Sequence, residues 1–172
     1  MIEIEITEDM VKDATKHVLD HKDVVSKIGV HSPKFKIMGA LGEEVFAKAF
    51  PNCVRSNTHD FDFITPDGRT VDVKTTSSKS MPPEFFETGT NAYNTTQRCH
   101  YYAFVYIERD FDKKLTSKGW IAGTILKEKF YKLANYRTTE ELEKQTGSKF
   151  NDPMYRLAIG KIKENEDIIS QG

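Results

Sequence analysis

Apolar positions recur at helical spacing early in the chain. After Thr7, a residue type suited to an N-cap, Val11, Ala14, Val18, Val25 and Ile28 form one stripe, predicting a helix through about Ile28 that Gly29 ends. A second helix is predicted over roughly 35–50, stopped by Pro51 and Asn52. The period then changes to two. Val54 and Arg55 begin a short strand, and residues 60–76 alternate about a turn, Thr65 to Gly68, that combines Pro66, Asp67 and Gly68. Residues 75–97, rich in Thr, Ser, Gly and Asn, show little periodicity and read as a long functional or solvated connection. Tyr101 to Ile107 is a β-prone run placed as a central strand, with Trp120 and the tyrosines read as core, and Gly119 to Ile125 reads as the next strand. Leu126 to Leu133 reads as a short helix, Thr138 to Glu141 as a capping box opening another, and Met154 to Ile159 as a last strand.

These elements predict one α/β (α+β) domain over 1–172. A central mixed sheet of four to five strands is flanked by helices, with an N-terminal helix in 1–30, a core in 35–126, and C-terminal helices and the last strand in 127–172. The length of 172 residues and 38% hydrophobic content suit a single core. A net charge of −1 and a pI near 6.5 argue against nucleic-acid binding by bulk positive charge, so any positive surface must be local. Cys53 and Cys99 match no zinc spacing, and the five histidines form no zinc-protease pair; His17 and His21, though spaced for one helix face, read as a surface pair. The acidic N-terminus resembles no signal peptide and no stretch approaches the ~20 apolar residues of a membrane span, so the expectation is a soluble cytoplasmic protein without a membrane partner.

The chemistry concentrates on the hairpin. A three-residue loop of Pro66, Asp67 and Gly68 pairs Thr65 with Arg69, Phe63 with Val71 and Asp62 with Asp72, and sets Asp60 opposite Lys74. Alternation then sends Phe61, Phe63, Val71 and Val73 to the core and Asp60, Asp62, Asp72 and Lys74 to the other face. Two carboxylates opposed at a Cβ separation of ~4.5–5.5 Å repel unless a cation lies between them. A third carboxylate comes from the preceding helix: Glu43 shares its stripe with Phe46, Ala47 and Phe50, whereas Glu44 is spaced to pair with Lys48 on a solvated face.

In this order, Gly39 to Glu43 on a helix, then Asp62, then Asp72-Val73-Lys74, the residues resemble the PD-(D/E)xK phosphodiesterase superfamily of restriction enzymes, junction resolvases and phage nucleases. Phe61 stands where many members carry Pro, and Asp60 and Glu44 remain alternatives to Asp62 and Glu43. The resemblance implies a restriction-endonuclease-like fold and a Mg²⁺-dependent nuclease, with Mn²⁺ as substitute metal. Catalysis would fall to Lys74, Asp72, Asp62 and Glu43, and metal binding to Asp62, Asp72, Glu43 and the Val73 carbonyl. DNA is the implied substrate, with RNA and exonucleolytic action left open, as is a catalytically idle DNA-binding member. Such proteins are also encoded by phages and plasmids. Thr75, Ser77, Lys79, Arg98 and Gln97 are the candidate substrate contacts. Gln97 and Tyr101 match a Gln-x-x-x-Tyr spacing of exonuclease-like members, but here the segment runs into a strand, which leaves Gln97 to line the cleft. A homodimer presenting two sites is a further expectation.

Overall fold

A computed structural model describes residues 1–20, 33–56, 58–109, 115–143 and 146–164. In chain order the elements are β1 (Ile2–Glu5), α1 (Glu8–Asp20), α2 (Pro33–Ala49), β2 (Val54–Arg55), β3 (Phe63–Ile64), β4 (Thr70–Ser78) and β5 (Glu87–Asn91). A 3₁₀ turn (Ala92–Thr96) leads to β6 (Tyr101–Arg109) and β7 (Leu115–Leu126), followed by α3 (Lys127–Leu133), β8 (Asn135–Arg137), β9 (Met154–Ala158) and α4 (Ile159–Glu164). The fold is a mixed α+β single domain. Its main sheet runs β1-β7-β6-β4-β3-β2, six strands where four or five were expected, and β5-β9-β8 form a second sheet. The β4–β6 pair is parallel and its neighbours are antiparallel.

β6 shows why the sheet is covered on both faces. Its alternate residues Tyr101, Ala103, Val105 and Ile107 enter one apolar cluster with Leu41, Val45 and Phe46 of α2 and Met10 and Ala14 of α1. Tyr102, Phe104 and Tyr106 enter the opposite cluster with Trp120, Phe130 of α3 and Ile159 and Ile162 of α4. Helix α2 lies so close to β4 that a Cβ on Gly42 would stand 1.9 Å from Thr75 Oγ1, so only glycine fits at that crossing.

Several expectations are corrected. The N-terminal residues, read only for their lack of a leader signal, form β1 along the β7 edge. The 75–97 connection is largely ordered: β4 continues to Ser78, and Glu87, Thr88 and Thr90 of β5 are buried against β9. Polar residues disguise that strand because its pairing, and not an apolar stripe, orders it. Thr138 to Glu141 makes one half of a capping box, the Thr138 N–H donating to Glu141 Oε1 at 3.0 Å, yet only a turn follows. Leu142 instead bridges Lys149. β9 falls where the last strand was expected, but in the second sheet. Thr7 accepts from the Met10 N–H as an N-cap, and Met10 joins Ala14 in the core; Val25, Ile28, Gly29 and His21 lie outside the described residues. Trp120 and the strand tyrosines of β6 are core, as expected.

Candidate functional site

The site opens where β3 leaves β4. Gly68, at φ 82°, closes the turn, and the Thr65 N–H donates to Arg69 O at 2.7 Å, fixing the expected register of Phe63 opposite Val71. There the ladder stops. The register does not continue to Asp62–Asp72 or Asp60–Lys74: the Asp62 N–H still donates to Val71 O, but its carboxylate takes the Val73 N–H, at 2.7 Å, in place of a further strand pair. Asp60 is drawn elsewhere and accepts from the Arg98 N–H. Phe61 is outside the apolar cluster that holds Phe63 and Val71 and against which Val73 packs.

Asp72 and Lys74 pair in the parallel ladder with Tyr102 and Phe104, on the face opposite α2. Asp72 is 6% exposed, so this face is not the open polar surface that the alternation suggested. Lys74 Nζ lies 2.6 Å from Asp72 Oδ2 and 5.5 Å from the centroid of the Tyr102 ring. That ion pair lacks hydrogen-bond geometry, leaving Asp72 Oδ2 buried without a hydrogen-bond partner. Gln97 joins the two: Lys74 donates to its Oε1 and its Nε2 donates to Asp72 Oδ1, both at 3.0 Å. Gln97 is in turn fastened by Lys127, whose ammonium donates to the carbonyls of Thr95 and Gln97.

On α2, Glu43 and Glu44 share one guanidinium. Arg55 NH1 donates to Glu43 at 2.9 Å and NH2 to Glu44 at 2.7 Å, so the partner of Glu44 is Arg55, while Lys48 reaches the Glu5 carbonyl. Arg55 had been read only as part of a short strand; its proximity to α2 depends on β2 pairing with β3, which no local pattern encodes.

Electrostatically the carboxylates strain against one another. Burial holds the Glu43 carboxyl up at about 7; Arg55 opposes this, and Glu44 and Asp72 reinforce it. Burial and the charges of Asp72 and Glu43 push Asp62 well above the usual carboxylate range, against the Val73 N–H and Lys74. Asp72 is also raised by burial, with Lys74 and Gln97 pulling it down. The Cys99 thiol beside them is pushed up to about 12, chiefly by burial, and is inert as a thiolate.

Of the other candidates, Thr75 lies under α2, its hydroxyl facing Gly39 O at 3.5 Å, while Ser77, Lys79 and Arg98 are exposed. The donors are of the kind a hard divalent cation takes, carboxylate oxygens, among them Asp72 Oδ2, which meets only the Lys74 ammonium. As arranged, Glu43 and Asp72 each face a cationic side chain, and no three His, Cys, Asp or Glu among the described residues stand together as a metal-holding group. No helix among the described residues is long and apolar enough to cross a membrane. No family model matches the chain, and no curated protein matches it.

Proposed function

We propose that the protein is a metal-dependent phosphodiesterase of the PD-(D/E)xK kind, acting on DNA with Mg²⁺. The observation that carries this reading is the electrostatic coupling of half-buried Asp62 and Glu43 to buried Asp72, whose charge raises the proton affinity of both, beside the Lys74 ammonium that pairs with Asp72 at 2.6 Å. Asp62 and Asp72 would hold the cation, with the Val73 carbonyl and Glu43 completing its surroundings.

A bound Mg²⁺ would supply Lewis-acid polarisation of the phosphate and a more acidic water. Lys74 would stabilise charge developing on a phosphate oxygen or orient the attacking water. Gln97 fixes Lys74 and Asp72 relative to each other, and Tyr102 offers the ammonium an aromatic face. Arg98, Lys79 and Ser77, exposed at or beyond the ends of these segments, suit phosphate contacts along the substrate.

A second reading is a nuclease-fold DNA-binding protein without turnover, favoured by the lack of three gathered ligands among the described residues. Supercoiled plasmid, single-stranded DNA, a branched junction and RNA, each incubated with Mg²⁺, Mn²⁺ or EDTA, separate the two. Metal-dependent cutting of at least one supports the enzyme. Retention of DNA without cutting in any metal supports the binding protein.

A further inference from the structure

Arg55 is tied to two consecutive carboxylates of one helix, although one positive charge cannot neutralise both. The two glutamates are not equivalent. Glu43 is within electrostatic reach of Asp72 and Asp62, whereas Glu44 interacts with Asp13 of α1 and with neither aspartate to any leading extent. Glu43 is thus the carboxylate coupled to the aspartates, and Glu44 is the one whose leading partners are Arg55 and Asp13. The arginine can be reached for exchange, since its side chain remains 26% exposed. A divalent cation at equal distance attracts Glu43 twice as strongly as a guanidinium does. A guanidinium carries five N–H donors, so losing Glu43 leaves Arg55 anchored by Glu44 and by its packing over the Phe63 ring at 5.2 Å.

We propose that Arg55 is a cation-exchange latch on the site: it occupies Glu43 until a divalent cation takes that carboxylate, and Glu44 then retains it beside the centre. The latch rests on the metal reading above. It accounts for the arrangement in which no three ligands are gathered among the described residues, because the third carboxylate is engaged by the latch.

The test is calorimetric titration of Mn²⁺ alone into the wild type, Arg55→Met, Glu43→Gln and the double variant, with folding checked by circular dichroism. Direct competition for Glu43 predicts about tenfold tighter Mn²⁺ binding in Arg55→Met. It also predicts a change below about twofold when Arg55→Met is made on the Glu43→Gln background. Equal gains on both backgrounds would reduce Arg55 to one more nearby charge and overturn the latch. So would unchanged or weaker binding in Arg55→Met, with the metal site left standing. Absence of Mn²⁺ binding in every protein, wild type included, would remove the metal reading and the latch together. If Arg55→Met does not fold, Arg55→Gln takes its place under the same criteria.

Discussion

Two clusters of partly buried charge stand out in this molecule, and they are built differently. At and beside the small sheet, Glu87, Glu141 and Glu143 each have an arginine: Arg137 meets Glu87 at 3.2 Å and Glu141 at 3.1 Å, and Arg156 meets Glu143 at 2.8 Å while also donating to the Glu87 carbonyl. Glu141 is held below the usual carboxylate range by the Thr138 N–H and by Arg137. At the β3–β4 fork, four carboxylates share two directly paired cations, Arg55 and Lys74, and Asp62 has only a backbone N–H. All four are raised, with burial the leading cause. The first cluster is a staple between strands. The second holds four carboxylates against two directly paired cations, an excess that supports the proposed metal reading.

Substitutions should therefore act with opposite signs in the two regions. The largest expected effect is on catalysis: Lys74→Met should lower metal-dependent cleavage by roughly 10²–10³-fold, with the fold intact by circular dichroism. Glu87→Ala, which strips Arg137 of a partner that is 7% exposed, should destabilise by about 2–4 kcal/mol in denaturant melts without touching the fork. Asp62→Asn should do the reverse, abolishing cleavage while raising stability at pH 8, since it deletes a repelled charge and an amide oxygen can still accept the Val73 N–H. A loss of stability in Asp62→Asn would erase the contrast.

The pH dependence follows from the same asymmetry. Glu43 titrates at about 7 when folded against an ordinary value of 4.5, so the folded state holds its proton more tightly than the unfolded one. The stability this gives is complete below pH 4.5 and lost as pH rises through about 7; Asp62 acts with the same sign from its ordinary 3.8 upward. The melting temperature should fall by on the order of 5 °C between pH 5 and 8, and saturating Mn²⁺ should remove most of that fall. The smallest effect is that of Gln97→Ala, about tenfold in cleavage rate from the two lost hydrogen bonds to Lys74 and Asp72.

The hairpin and the helix before it were legible in the sequence because their signals are local: Thr65 to Gly68 specifies the turn, and the stripe of Phe46 and Phe50 specifies the face of α2. The β6 run was legible because strongly β-prone residues fill both of its faces. β1 and β5 were not. Their order comes from pairing with strands more than sixty residues away, and buried threonines in β5 look like a solvated loop until Met154–Ala158 lies beside them. Within the site, the chemistry-bearing types at Glu43, Asp62, Asp72 and Lys74 could be named from spacing. The fork of Arg55 across Glu43 and Glu44 and the Gln97 bridge are tertiary contacts, and residue spacing carries no record of them.

The most direct test compares wild type with Asp72→Asn on supercoiled plasmid, in Mg²⁺ and in EDTA, at equal folded concentration. The account predicts Mg²⁺-dependent cutting by the wild type, none in EDTA, and none by folded Asp72→Asn. Cutting by Asp72→Asn at the wild-type rate, or a wild type that cuts nothing in any metal, would contradict it.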